Sequence, residues 1–594
     1  MSYSDSFPAQ RASFMADFAN AGRLDNRISF TRASSANVWD GSKHLSSENL
    51  IPYSNLSSGF SFARTTLAST NNSAPDGGSD AASILETADT GLHDVSESIG
   101  GCVSGTQYSF VFYLKANGRT KAVFKPQLTT VIAEVTFDLT AATSTVSSGS
   151  ADSHSITAIG STGWYKCAVT VTATGTGTGY TQFNLLDGSS SESYAGDVTK
   201  GMYAWGASVS STGETVLNET SGQIHREYAP TLVSKANNVG RFDYSTDGQS
   251  AARGILVEGA STNLLTYSSD IANAAWTKTG TTATAEAIGP DGSLSAFAVR
   301  EDTTTGWHKI AQAATVGSGS VCFSVYAKLL GNTRRLVLRE DTTSGDAAVF
   351  DLSTGTVAAE VSGATGSIEA VGNGFYRCTM VCTPGAGSKS FGGWVVSSTA
   401  TNYETGNTGD GFSGLLLAMP QIEDQSFASS WISTTSSTAT RAAESLSVTD
   451  SSLFDNGGGA LFVEASSIDK AAAYSGIASL NDGSSTNRVE VYNYYTYVRG
   501  DVSADGATQS SQYGGAFSPD VAYKACLTYA SNNVSLYANG SEVGAADTAA
   551  CMPTVDRITL GNTNSGTNYL NGHIKRVAVY SEALTDTNLQ ALTS

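Results

Sequence analysis

Charge is scarce in this chain of 594 residues, and positive charge scarcer still. Charged residues make up 14%, and 33 Lys and Arg stand against 53 Asp and Glu, for a formal net charge of −20. No nucleic-acid partner is therefore expected, because phosphate contacts need clustered Lys and Arg. No basic stretch followed by an apolar run marks the N-terminus, so no signal peptide is expected. No window approaches the ~18 apolar residues of a membrane-crossing helix, so no membrane insertion is expected either. The seven cysteines, an odd number, form no Cys-x-x-Cys and no His/Cys cluster. Cys378 and Cys382 share one face of a strand-like run but lie too far apart to bridge. Free, mostly buried thiols in a chain folded in a reducing cytoplasm are the economical expectation, with no zinc site. Catalytic signatures are missing as well: no Gly-x-Ser-x-Gly, no P-loop and no His-Glu-x-x-His occur. Glycan hydrolysis would need two carboxylates held across a cleft, and 53 acidic residues single out no pair. The expectation is a protein that is not an enzyme, with no catalytic residue assigned.

What is present favours strands. The 61 glycines, with abundant Ser, Thr and Ala, suit many short strands joined by polar turns. The length corresponds to roughly four domains. Asn49-Leu50-Ile51-Pro52-Tyr53-Ser54 returns as Asn263-Leu264-Leu265-Thr266-Tyr267-Ser268. Pro75-Asp76-Gly77 answers to Pro290-Asp291-Gly292, and Gly91-Leu92-His93 to Gly306-Trp307-His308. Phe137-Asp138-Leu139 answers to Phe350-Asp351-Leu352, and Gly163-Trp164-Tyr165-Lys166-Cys167 to Gly374-Phe375-Tyr376-Arg377-Cys378. The nearly constant separation marks an internal repeat of one all-β module, residues 48–222 and 261–436, with Trp164 and Phe375 in equivalent core sites. Between them, residues 223–260 form a connector. There Arg241-Phe242-Asp243-Tyr244 and Ile255-Leu256-Val257 read as short strands about a Thr246-Asp247-Gly248 turn. Residues 1–47 carry Phe14, Met15 and Phe18 at helical spacing and an alternating Arg27–Arg32. The segment is too small to hold a core, so it packs on the next module or docks onto something larger.

From residue 437 onward a third sandwich is expected. Tyr523–Tyr529 alternates by two, and Val534–Ala538 runs into Asn539-Gly540, a hairpin turn in which both residues tolerate φ > 0. Arg557–Asn562 and Gly572–Tyr580 supply two more strands, and a short helix from Thr585 carries Leu589 and Leu592. The fold class is thus all-β: three tandem jelly-roll-like β-sandwiches, the first two a repeat, after a short N-terminal attachment segment.

The order YKACLTYASNNVSLYANG, RITLGN, YLNGHIKRVAVYSEALTDTNLQAL resembles the laminin-G-like and concanavalin A-like sandwiches. NLLTYSSDIANAAWTKTG with its following PDG is similar to carbohydrate-binding-module-like domains of bacteriophage fibre and spike proteins. ISFTRASSANVWDG, followed later by RFDYSTDGQSAARGILVEGASTNLL, resembles the N-terminal region of such phage proteins, where the two pieces sit close together. The resemblance implies a virion fibre or spike that binds host surface polysaccharide. It further implies a homotrimer that meets other virion structural proteins through the N-terminus, is made in the host cytoplasm and is released by lysis. The alternatives are a purely structural capsid or tail decoration protein and a glycan depolymerase.

Sugars are gripped by aromatic faces and by hydrogen-bonding Asn, Asp and Arg. The densest such run is Tyr492-Asn493-Tyr494-Tyr495-Thr496-Tyr497, preceded by Asn487 and Arg488. On a single strand Tyr492 and Tyr494 would share one face and Tyr495 and Tyr497 the other, one pair being exposed. The plain alternative is that all four pack between the sheets. Trp276 and Trp307 of the second module, near Trp394 and Trp431, are the next candidates, with core filling as their alternative. His93 and His308 are expected to be hydrogen-bonded structural residues. No metal or cofactor is expected. Ca²⁺ is the one ion left open, at Asn481-Asp482-Gly483 and Asp187-Gly188, which are equally ordinary turn formers.

Overall fold

The computed structural model describes residues 12–246, 250–331, 333–342, 345–403, 407–468, 474–548, 550–563 and 568–594. The Asp247-Gly248 part of the expected connector turn lies outside them. Alternation of apolar and polar residues produces strands throughout: Ala133–Asp138, for example, buries every second residue. Among the described residues helix is confined to Phe18–Ala21, a 3₁₀ turn at Ser451–Leu453 and Asp586–Thr593. All seven cysteines are free, and only Cys551 is exposed.

The two repeated modules share one topology. In the first, one sheet runs Ser153–Ile159, Trp164–Thr172, Gln107–Asn117, Gly201–Ser210, Ala81–Glu86, Thr65–Asn72. In the second, the order is Thr365–Gly372, Phe375–Cys382, Val321–Leu330, Gly414–Glu423, Ala296–Glu301, Thr281–Ala287, which matches strand for strand. The facing sheets also agree, except that the first module adds the short strands Gln127–Leu128 and Thr130–Val131. Trp164 and Phe375 open equivalent strands, and both are buried.

The repeated phrase beginning Asn49 and Asn263 closes each module. Asn49 Nδ2 donates to the carbonyls of Ala207 and Asn218, while its Oδ1 accepts from Ile51 N and Val209 N. Asn263 repeats this with Pro420, Ile432, Leu265 and Ile422. One fully buried amide thereby ties the strand entering each module to the strands that leave it. Every polar atom of the amide is satisfied, as a buried polar group requires.

The third sandwich is assembled from three separated stretches of chain. Its eight-stranded sheet includes Gly458–Ser467, Tyr523–Ala530 and Gly572–Tyr580. On the last of these, Phe14–Asp17 pairs with residues 576–579, and Ala252–Val257 pairs with residues 572–574. Its seven-stranded sheet runs Ser29–Thr31, Ser445–Thr449, Arg557–Leu560, Ser475–Asn481, Arg488–Tyr494, Tyr497–Ala504, Ala507–Ala516. Phe14, Phe18, Ile28, Ile255 and Val257 share one core with Leu461, Val491 and Val577. This corrects two expectations. The strands Phe14–Asp17 and Ser29–Thr31 of residues 1–47 join the C-terminal sandwich and not the next module, and the strands Phe242–Tyr244 and Ala252–Val257 of 223–260 are not a bare connector. Both supply strands and core side chains to the C-terminal sandwich. Their partners lie hundreds of residues away, where local periodicity carries no signal. Asn539 and Gly540 adopt φ of 47° and 82°, as the hairpin turn required.

Both modules are therefore insertions into this sandwich. The first stands on a ribbon in which Ala36–Asn49 pairs with His225–Lys235, and the second on the shorter pair Ser261–Asn263 with Ala439–Arg441. Where the ribbons meet, Arg32, Arg241, Arg441, Glu258 and Glu444 are buried together, each side chain no more than 1% exposed. Arg241 grips Glu444 through Nε and Nη2, both at 2.7 Å, and its Nη1 lies 2.7 Å from Glu258 Oε2. Arg32 Nη1 reaches Glu444 at 2.8 Å, and Arg441 Nη1 reaches Glu258 at 3.3 Å. Burial alone would raise the Glu258 carboxyl. The charges of Arg441 and Arg241 and the hydrogen bonds from Ser430 outweigh burial and hold it well below the usual range.

Candidate functional site

Arg488–Tyr494 alternates, with Val489, Val491 and Asn493 buried on the core side and Arg488, Glu490, Tyr492 and Tyr494 on the outer face. Register then sets Glu490 between Ser479 and Asp501, and Tyr492 opposite Arg499, which in turn faces Tyr513. Glu490 accepts from Ser479 Oγ at 3.1 Å, Tyr474 Oη at 2.8 Å and Arg488 Nε at 3.0 Å. Asp501 accepts from Tyr492 Oη at 2.7 Å and Arg499 Nε at 3.0 Å. Burial, and then the carboxylates that accept from them, push both phenols up, so Tyr474 and Tyr492 stay protonated donors. The two rings stack at 3.9 Å between centroids.

Around this network stands an aromatic rim. Tyr494, Tyr495, Tyr497 and Tyr513 are 36%, 50%, 47% and 63% exposed, unusually open for rings of this size. Arg499 lies 5.2 Å from the Tyr494 centroid, which fixes the guanidinium against the rim. The arrangement differs from the expected single strand. The strand ends at Tyr494, which pairs with Tyr497, and Tyr495-Thr496 is the turn, with Tyr495 at φ 52°. A positive φ at tyrosine is uncommon, so alternation alone could not reveal the reversal. Tyr492, 2% exposed, is a floor residue of the face and not an exposed anchor. Asn487 is likewise occupied, accepting from Asp505 N and donating to Asp482. Arg488 is partly free: Nε meets Glu490, Nη1 meets the Ser485 carbonyl, and Nη2 faces no partner among the described residues. The residues missed in the sequence, Tyr474, Glu490, Arg499, Asp501 and Tyr513, lie on different strands, and only register gathers them.

The tryptophan candidates separate. Trp276 is 3% exposed, lies in the second module's core and donates from Nε1 to the Tyr267 carbonyl at 3.1 Å, so it is no surface anchor. Trp307 is 44% exposed, with Lys309 Nζ 4.6 Å above its ring and 4.8 Å from that of Trp394. His308 is structural, its Nδ1 and Nε2 lying 2.7 and 3.2 Å from the Gly280 and Asn407 carbonyls. His93 is buried and stacked on Tyr194, but neither of its ring nitrogens has a hydrogen-bond partner among the described residues, so the expected hydrogen bonding holds for His308 alone. At the two turns considered for Ca²⁺, Asp482 and Asp187 accept from their own loops. Among the described residues no group of three or more His, Cys, Asp and Glu could hold a metal ion.

Residues 410–590 match the model of the laminin-G family described as the concanavalin A-like lectin/glucanases superfamily. No curated protein matches the sequence. Among solved structures, the CBM40 of Ruminococcus gnavus IT-sialidase bound to α2,3-sialyllactose is similar at 21% identity, over 23% of this chain and 83% of that one, with a TM-score of 0.21. Domains LG4-5 of the mouse laminin α1 chain are similar at 11% identity, over 48% and 89%, with a TM-score of 0.17. The CBM22-1-CBM22-2 tandem of Paenibacillus barcinonensis Xyn10C is similar at 9% identity, over 64% and 99%, with a TM-score of 0.19. Such scores and identities are too low to extend any of these proteins' properties to this chain.

Proposed function

We propose that this protein binds glycans, without cleaving them, through the outer face of its C-terminal sandwich. The observation that carries this reading is the tyrosine rim set around preorganised arginines. Tyr494, Tyr495 and Tyr497 converge on one hairpin end, Tyr513 stands beside Arg499, and both arginines are held by buried carboxylates. Rings of this kind stack on the C–H faces of sugars, and spare guanidinium N–H groups donate to hydroxyls. The family model matched by residues 410–590 is described as the concanavalin A-like lectin/glucanases superfamily, which supports a carbohydrate ligand.

The sequence resemblance to phage fibres supports carrying this reading further, to a trimeric fibre or spike on a virion that holds host surface polysaccharide. Three copies would then bind together, with avidity well above one site's affinity. Attachment to the particle is confined to residues outside the sandwich core, since Phe14, Phe18 and Ile28 belong to that core. An array of host polysaccharides tests the proposal. The intact chain is expected to bind without releasing reducing ends. Tyr495→Ala with Tyr497→Ala is expected to weaken each site roughly a hundredfold, at ~1.4 kcal/mol per aromatic anchor. Released oligosaccharides would instead make the protein a depolymerase, and unchanged binding by the folded double variant would remove the rim from the site.

A further inference from the structure

The two inserted modules repeat one another, yet the same sheet face serves differently in each. Tyr113 and Lys166 sit opposite one another on neighbouring strands of the first module, and Tyr326 and Arg377 hold that register in the second. In the first module Phe412, reaching across from the second, packs edge-on against Tyr113 at 6.1 Å and Trp205 at 6.2 Å. Lys166 Nζ lies 2.6 Å from Glu286 of the second module. That face is thus engaged by the other module, with a gap of about 340 Å³ left beside it. In the second module the corresponding face looks onto a cavity of about 590 Å³. The ribbon closes it with Trp39, the former connector with Asp243 and Arg253, and the C-terminal sandwich with Asp520 and His573.

We propose that this junction cavity is a second carbohydrate site that takes a neutral pyranoside. It is separate from the tyrosine rim and does not depend on it. Its volume falls within the ~300–1,000 Å³ of ordinary small-molecule sites. The walls are aromatic and fixed. Trp39 stands edge-on to Tyr326 at 6.3 Å, and Trp431 is 8% exposed. The polar groups are fixed too. Arg377 Nη2 donates to the Ser429 carbonyl at 2.5 Å, and its guanidinium lies 5.5 Å from the Tyr326 centroid. Asp243 accepts from Trp39 N at 3.2 Å and lies 2.6 Å from His573 Nε2, while Arg253 is paired with Asp520.

Two donors are left wanting partners among the described residues. The Trp431 indole N–H and the Arg377 Nε–H are buried and unpaired, while the Glu369 carboxyl lines the same cavity and is open to solvent. Buried donors without acceptors are costly and call for an occupant. Both need acceptors, which sugar hydroxyl oxygens supply, and a hydroxyl hydrogen is free to donate to the Glu369 carboxylate beside them. The aromatic walls suit the C–H face of a pyranose ring. An anion fits poorly, because Asp243, Glu369 and Asp520 outnumber Arg253 and Arg377.

Saturation-transfer NMR on the full chain tests this with methyl β-D-glucopyranoside, methyl β-D-galactopyranoside and N-acetylglucosamine. At least one sugar is expected to receive saturation on its ring C–H protons, and to do so equally from the Tyr495→Ala/Tyr497→Ala variant. Binding of that sugar is expected to weaken at least about tenfold in Glu369→Ala and in Trp431→Phe, which keeps an aromatic ring but loses the indole N–H. No transfer to any of the three, or transfer unaffected by both cavity variants, would overturn the proposal. A signal lost only in the tyrosine variant would assign the sugar to the rim and overturn the cavity site while sparing the rim.

Discussion

Arg241→Met is the sharpest test of how the molecule is held together. Among the described residues Arg241 is the one cation paired with both Glu444 and Glu258, and it also donates to the Asn37 carbonyl and to Ser430. Those partners belong to the ribbon, the second module and the sandwich edge, so one side chain bears on all three. Removing it leaves Arg32 alone on Glu444 and Arg441 alone on Glu258. Deleting one member of a buried pair costs about 3–5 kcal/mol, because a buried charge loses its compensation. For a sandwich of this size, at about 2–4 °C per kcal/mol, Tm should fall by about 6–20 °C in scanning calorimetry. The pH dependence supplies a second check. The folded fold depresses the Glu258 carboxyl, so its contribution is present above the ordinary carboxyl range and is lost as pH falls through the depressed value. The variant has less of that contribution to lose, so its gap from the parent should narrow on acidification. A Tm within about 2 °C of the parent at neutral pH would refute the junction's role.

Two further outcomes follow from single side chains. Glu214, 4% exposed, is pushed up to about 7 by burial, despite hydrogen bonds from Ile288 N and Glu48 N. Its raised value means that the fold favours the protonated form. Stability is therefore full below about pH 4.5 and falls by about 3 kcal/mol as pH rises to 7. Denaturant titrations at pH 5, 6, 7 and 8 should show that slope, and Glu214→Gln should abolish it; the same slope in both proteins would refute the assignment. Phe14→Ala should destabilise the C-terminal sandwich by about 3–5 kcal/mol, although most of that core lies hundreds of residues away. A change under about 1 kcal/mol would mean that the N-terminal strand is not part of the core.

The repeat was legible because its phrases do the same physical work twice. Asn49 and Asn263 each close a module with four hydrogen bonds, and Gly163 and Gly374 precede equivalent buried rings at φ of 78° and 68°. The all-β class followed from alternation and turn residues. The discontinuous sandwich was not legible, because Phe14–Asp17 and Ala252–Val257 find their partner strand at the far end of the chain. The stretches around Arg32 and Arg241, split in sequence by the first module, are brought together here: both arginines meet on Glu444. In the tyrosine run the aromatic density was visible, but the reversal at Tyr495 was not. The carboxylates beneath the rim could not be chosen from 53 acidic residues without the register of three strands.

The central claim, that the outer face of the C-terminal sandwich holds the glycan, is tested most directly by mapping the contact. Oligosaccharides that the chain captures from the array would be tagged with a diazirine, photolysed on the intact protein and located by peptide mass spectrometry. The account predicts cross-links within residues 488–516, centred on Tyr494–Tyr497 and Tyr513. Cross-links confined to the two inserted modules, with none on that hairpin, would contradict it.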